Sequence, residues 1–344
     1  MKATFFKHTL QFKQASGTSR GVLTLKDTWF IKLENNTLKG IGECGMFKGL
    51  SIDHRDDFEL KLKWTCQNID LGLEVLLGQL VSFPSIQFGL EMAFASLNNK
   101  SPFELFPSEF TKGKDSIPIN GLIWMGESSF MKQQIKDKLE GGFSCIKLKI
   151  GALNFERELA LLKSIRNEYD MQTIEIRIDA NGAFKPNEAL EKLKQLSDYN
   201  LHSIEQPIKQ GQIDDMAQLC LDTPIPIALD EELIGIFSVT NKQFLLQTIK
   251  PQYIILKPTL VGGFKGSQQW IDVAESNKIG WWVTSALESN IGLNAIAQWT
   301  YTLNNTLPQG LGTGGLFTNN VQAPLVVRSG RLFYDLKTKW NLKF

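Results

Sequence analysis

Five charged residues stand at even intervals through the middle of the sequence: Lys149, Asp179, Glu205, Asp230 and Lys257. Each ends a short apolar run, and neighbours lie 25 to 30 residues apart. Three carboxylates drawn together repel one another and call for a cation between them. Asp and Glu oxygens without histidine suit a hard ion such as Mg²⁺, which keeps some water and accepts substrate oxygens. A lysine flanking such a centre becomes a useful base when its pKa falls from about 10.4 toward 7–8. A neighbouring divalent ion pushes Lys149 that way, and so does Lys147 two residues before it. The matching chemistry removes a proton α to a carboxylate while the metal stabilises the resulting enediolate. The same residues also admit a plainer reading, an ion-pair network closing a barrel mouth.

The runs that carry these residues set the architecture. Segments 117–120, 145–149, 174–179, 201–205, 225–230, 253–257 and 280–285 read as strands. Helical patterns lie between them: Leu159, Leu162 and Ile165 mark one, and Leu190, Leu193 and Leu196 another. A repeat of this length is one strand plus one returning helix. With an eighth strand near Gly310-Leu311-Gly312-Thr313, the pattern predicts an α/β fold, a closed TIM-like barrel; an open doubly wound sheet is the alternative. In a barrel the C-terminal strand ends converge on one face. Alternation then puts Lys147 with Lys149, Arg177 with Asp179, and Ile255 with Lys257.

Residues 1 to 112 read differently, as strands first and a helix later, the pattern of an α+β module. Phe30-Ile31-Lys32-Leu33 alternates as a strand, and Ile86, Leu90, Ala93, Phe94 and Leu97 share one helical face with Ser85 as its cap. Arg20, after Gly17-Thr18-Ser19, reads either as part of a loop over the barrel mouth or as solvated surface. Segments 326–328 and 332–334 look like strands again.

Composition narrows the function classes. The chain has 344 residues, 42% of them hydrophobic, and a net charge of +1. That is enough apolar matter for a sizeable core, and no field for nucleic acid or anionic membrane. No apolar run reaches the length of a spanning helix, and the charged N-terminus shows no signal peptide. Four separated cysteines and three scattered histidines point to a reduced, cytoplasmic protein without zinc or Ser-His-Asp chemistry. The expected partner is a small-molecule carboxylate substrate; the oligomeric state is not legible.

Taken in order, Lys147-Leu148-Lys149, Asp179-Ala180-Asn181, Ile204-Glu205-Gln206-Pro207, Leu229-Asp230-Glu231 and Leu256-Lys257-Pro258-Thr259 resemble the enolase superfamily, muconate-lactonizing subgroup. The resemblance covers the whole chain. It implies a (β/α)₇β barrel at 113–318 behind an N-terminal α+β capping domain at 1–112, with 319–344 returning to that domain. It implies that Asp179, Glu205 and Asp230 bind Mg²⁺, with Mn²⁺ as a substitute. Lys149 then removes the α proton and protonates the departing hydroxyl, and Lys257 stabilises the intermediate by its charge. Asn181 and Glu231 fall where hydrogen bonds would orient the metal ligands.

Segments 257–263 and 284–292 most resemble the branch that dehydrates a succinyl-hydroxycyclohexadiene carboxylate to 2-succinylbenzoate in menaquinone biosynthesis, a carbon–oxygen lyase reaction. The expected substrate contacts are Lys147, Ser285, Thr313 and Arg20. Thr284-Ser285-Ala286 departs from the Ser-Ser pair of many relatives. Gly312-Thr313-Gly314-Gly315 lacks the Asp-x-Asp of dipeptide epimerases, which counts against epimerisation. N-acylamino acid racemisation, which uses the same two lysines, is the nearest competitor. More distant are a metal-free aldolase with Lys257 as the amine nucleophile and a non-catalytic ligand-binding barrel.

Other features carry less. Gly310-x-Gly312-x-x-Gly315 matches a dinucleotide motif by letter but is followed by strand-like sequence, so a glycine loop at the mouth is expected. His202, Cys145, Trp270, Trp281 and Trp282 are read as packing residues, and Lys132 to Lys138 as a solvated helix face.

Overall fold

The computed structural model describes residues 1–18, 21–35, 38–99, 101–124, 126–151 and 154–342. The chain opens with an antiparallel sheet of β1 (Lys2–Thr18), β2 (Gly21–Asn35) and β3 (Leu38–Cys44), followed by helices α1 (Phe58–Gln67), α2 (Leu73–Gln79) and α3 (Pro84–Leu97). Helix α3 is apolar on two sides. Ile86, Leu90, Ala93 and Leu97 pack with Ile31 and Leu33, whereas Phe88 and Met92 join Phe30 in the main core. Strand β3 lies so close to it that a side-chain carbon on Gly42 would meet the Gly89 carbonyl oxygen at 1.8 Å. The helix begins at Pro84, whose fixed φ suits the first helical position. Ser85, expected as the cap, lies instead inside the first turn. Its N–H and hydroxyl donate to the buried Asp53 carboxylate at 2.9 and 2.6 Å.

Seven parallel strands follow in sequential order: β5 (Gly121–Ile123), β6 (Cys145–Lys149), β7 (Glu175–Asp179), β8 (Ser203–Glu205), β9 (Ile227–Leu229), β10 (Tyr253–Leu256) and β11 (Gly280–Val283). The returning helices are α4 (Ser128–Glu140), α5 (Phe155–Glu168), α6 (Pro186–Ser197), α7 (Ile213–Asp222), α8 (Val239–Ile249), the short α9 (Pro258–Val261) with α10 (Gly263–Ser276), and α11 (Asn290–Thr302). Gln309 and Gly310 close the ring as an eighth strand. Gly310 N–H donates to Val283 and Asn120 N–H to Gln309, at 2.8 and 3.0 Å. The fold is a (β/α)₇β barrel.

Two expectations shift. The run 117–120 straddles two strands: its first half belongs to β4 (Ser116–Pro118), and Ile119 and Asn120 lead into the barrel strand β5, with the Pro118 carbonyl already accepting from Gln309 N–H at 2.8 Å. The late strands form a hairpin, β12 (Leu325–Arg328) and β13 (Arg331–Tyr334), which pairs with β4. Contact with the N-terminal sheet begins just before 319, through Leu316 with Lys13 and Thr318 with Gln11, and continues at Asn319, which bonds Gln11 and Thr9; Trp340 stacks on Phe103. No helix among the described residues is long and apolar enough to cross a membrane.

Candidate active site

Alternation along each barrel strand sends Ile146, Leu148, Ile176 and Ile178 outward into the core and their charged neighbours inward. Lys149, Asp179 and Glu205 stand side by side across β6, β7 and β8. Asp230 and Lys257 follow β9 and β10 directly, so Lys149 and Lys257 occupy the second and sixth of eight strand positions, on opposite sides of the mouth. Asp179, Glu205 and Asp230 are all at most 2% exposed. Lys149 Nζ reaches Asp179 Oδ2 at 2.6 Å and Asn181 Oδ1 at 2.7 Å. Lys147 Nζ lies 2.8 Å from Asp179 Oδ2 and also donates to Glu205, and Lys257 donates to Asp230.

The charges divide unevenly. Burial opposes ionisation of Asp179, yet Lys147 and Lys149 hold it far below the usual carboxylate range. Glu205 moves the other way, pushed well up by burial and then by the charge of Asp179. Burial works against the ammonium of Lys147, but Asp179 and Glu205 keep its pKa above the ordinary lysine value. Lys257 is raised likewise: burial is outweighed by Asp230 and Glu205.

A ready-made metal cradle flanked by lysines was the expectation, and the arrangement differs from it. Among the described residues no three acidic, histidine or cysteine side chains are gathered for a metal. The Lys147 ammonium lies between Asp179 and Glu205, because crowded carboxylates draw in the nearest cation. The donor set still fits a hard divalent ion. Glu205 Oε1 is buried without a hydrogen-bond partner, on a carboxylate whose ionisation lacks sufficient positive charge around it.

A cavity of about 300 Å³ opens above this layer, lined by Lys147, Lys149, Lys257, Asn181, Ser285 and Thr313. Ser285 and Thr313, singled out separately in the sequence, share a hydroxyl–hydroxyl hydrogen bond of 2.6 Å. Asn181 Nδ2 donates to Glu231 at 3.1 Å, which brings together the two residues expected to orient the metal ligands. Arg20 lies outside the described residues.

Residues 131–335 match the family model described as enolase C-terminal domain-like. The o-succinylbenzoate synthase of Desulfotalea psychrophila is 45% identical, over 96% of this chain and 98% of that one. The chain belongs to the enolase superfamily. The crystal structure of MenC from Desulfotalea psychrophila covers 97% of this chain and 99% of its own, with a TM-score of 0.87 at 43% identity. A muconate lactonizing enzyme from Pseudomonas fluorescens, complexed with muconolactone, superposes with a TM-score of 0.83 at 21% identity, over 99% of this chain and 96% of its own. The latter likeness is one of fold.

This enolase-superfamily site also contains residues that had no expected role. Gln206 follows Glu205 with φ +40°, a strained conformation for a residue with a side chain. Its side-chain oxygen accepts from Asp230 N–H at 3.2 Å and its amide donates to Glu232 at 3.0 Å, tying the ends of β8 and β9 together. Phe47 and Leu50, from the loop after β3, join Leu122 and Trp124 in an apolar cavity wall. The position of Gln206 beside Glu205 was the available signal for the first. Nothing local marks the second. His202 packs against Tyr253 and Trp282, and Cys145 is buried, donating to Glu175 at 3.2 Å.

Proposed function

We propose that the chain is a Mg²⁺-dependent lyase that dehydrates 2-succinyl-6-hydroxy-2,4-cyclohexadiene-1-carboxylate to 2-succinylbenzoate, the o-succinylbenzoate synthase reaction of menaquinone biosynthesis. The observation that carries this reading is the pair of amines, Lys149 and Lys257, set across a buried row of three carboxylates. The near full-length similarity to a synthase of that activity supports it. Asp179, Glu205 and Asp230 hold Mg²⁺, with Mn²⁺ as a substitute. When bound, the ion supplies positive charge against the dianion that forms at the substrate carboxylate.

The rest of the work falls to this chain's side chains. Lys149 Nζ takes the proton from the α carbon and returns a proton to the leaving hydroxyl, so one water is lost in balance. Lys147 is held charged beside it by Asp179 and Glu205 and presents its ammonium to the same side of the cavity. Lys257 keeps its charge and faces the developing anion from the opposite side. Asn181 fixes the Lys149 amine, and the Ser285–Thr313 pair offers hydroxyls to a substrate oxygen. Residues 1–112 act as the capping domain, whose Phe47 and Leu50 help exclude water. The four cysteines are unpaired, in keeping with a cytoplasmic setting.

The test is incubation with Mg²⁺ in D₂O, with the cyclohexadiene acid and, separately, with N-succinyl amino acids. Dehydration of the first that stops on chelation is the expected result. Deuterium wash-in with loss of chirality in the second, without dehydration, would give the site to a racemase. Borohydride trapping at Lys257 would give it to an aldolase.

A further inference from the structure

A second group of buried charges lies behind the mouth, where the N-terminal sheet meets the barrel. Glu288, fully buried after β11, uses both carboxylate oxygens. One accepts from the Thr259 hydroxyl, and the other accepts from Ala286 N–H at 2.8 Å. Thr259 stands two residues beyond Lys257, and Ala286 follows Ser285 in the cavity wall. Glu288 thus clasps the two strand-end loops that carry a proposed catalytic amine and a proposed substrate hydroxyl.

The N-terminal module backs this clasp with two residues. Glu43 of β3 accepts from Ser289 N–H at 2.8 Å and Gly292 N–H at 2.9 Å, the first turn of α11. The Lys26 ammonium of β2 is buried without a hydrogen-bond partner. A side-chain carbon on Gly45 would lie 3.4 Å from both Lys26 Nζ and Glu288 Cγ, so the cation sits beside that acid. Burial pulls the Lys26 pKa down against the attraction of Glu43 and Glu288, and burial raises that of Glu288.

We infer that Glu288 is a positioning residue for the reaction, one that holds the Lys257 and Ser285 loops in register and seats the N-terminal module through Lys26 and Glu43. It touches no substrate. The inference rests on the lyase reading for its kinetic arm, and a substrate-free arm stands apart from that reading. Misplacement of a reacting group by an ångström costs on the order of 10²-fold. Glu288→Ala should lower kcat by about that factor while KM changes less than about threefold. Glu288→Gln keeps an acceptor for Ala286 N–H and an amide donor for the Thr259 hydroxyl, so it should recover most of the rate. Hydrogen exchange of segments 256–263 and 284–292 should quicken in the alanine variant and stay slow in the glutamine one.

Wild-type kcat in Glu288→Ala, or equal kcat and exchange in the two variants, would overturn the assignment. The exchange contrast without any dehydration by the unaltered protein would uphold the clasp and sink the lyase reading instead. Should Glu288→Ala fail to fold, Thr259→Val removes one of the two bonds at constant shape. It should show the same kcat-dominated loss, and an unaltered kcat there would overturn the clasp.

Discussion

The barrel mouth and the junction behind it bury similar charges to different ends. At the mouth, lysines pair directly with carboxylates at the floor of an open cavity, where a cation or a substrate can reach them. At the junction, Glu43 and Glu91 accept from the N-terminal turns of α11 and α10, and no substrate reaches them. Helix N-termini carry partial positive charge and unpaired N–H groups, so a carboxylate there is held by structure. Buried charge therefore meets substrate only where it lines a cavity; elsewhere it fixes how two modules meet, and at Glu288 how the loops of the mouth are held. Rate should be the signature of the first region and stability that of Glu43 and Glu91 in the second, with Glu288 the one junction residue through which the second region reaches the rate.

The largest effect expected at the mouth is that of Lys149→Ala. General acid–base groups contribute about 10²–10⁴-fold, and a residue serving both proton transfers stands at or above the upper end. Deuterium exchange at the substrate α carbon should vanish while the melting temperature stays near that of the unaltered protein. Retained exchange would remove Lys149 from its role. Lys257→Ala should lose a comparable rate with little change in Mg²⁺ affinity by calorimetric titration, since its contribution is charge on the side opposite Lys149. Loss of the ion along with the rate would mean that the two regions of the mouth are not separable.

Glu43→Ala tests the other half of the comparison. It strands the Ser289 and Gly292 N–H groups and takes a counter-charge from buried Lys26. Removing one partner of a buried charged network typically costs about 3–5 kcal/mol, and urea unfolding should show a loss of that order. A loss below about 1 kcal/mol would mean that the junction is not held by its charges.

The two regions differed just as much in legibility. Lys149, Asp179, Glu205, Asp230 and Lys257 recur once per strand-and-helix unit, so periodicity exposed both the barrel and its mouth. Ser285 and Thr313 followed from the same count. The junction is built from positions 26, 43, 91, 259 and 288, which share no period and meet only in the folded chain. Glu91 sits on α3 among residues that read as an ordinary amphipathic helix, yet it is 8% exposed. The cavity wall of Phe47 and Leu50 was hidden for the same reason, and Lys147 lay between carboxylates because mutual attraction, which spacing cannot show, drew it there.

Glu91 offers the finest test, because it makes the junction depend on pH. Burial lifts its pKa to about 7, against the pull of Lys265 and Phe264 N–H groups and the Lys265 ammonium, with Glu74 adding to the rise. The folded chain therefore holds a proton that the unfolded chain, with an ordinary glutamate near 4.3, releases. Its stabilising share is complete below that lower value and is lost as pH rises through about 7. Between pH 5.5 and 8 the linkage amounts to about 2 kcal/mol. Glu91→Gln, which cannot titrate, should be less stable overall yet flatter by that amount in urea melts at the two pH values. An identical slope in both proteins would show that the carboxyl is already ionised in the folded chain. The α10 end of the junction would then be a charged seat of the same kind as the mouth, and the contrast between the regions would rest on the cavity alone.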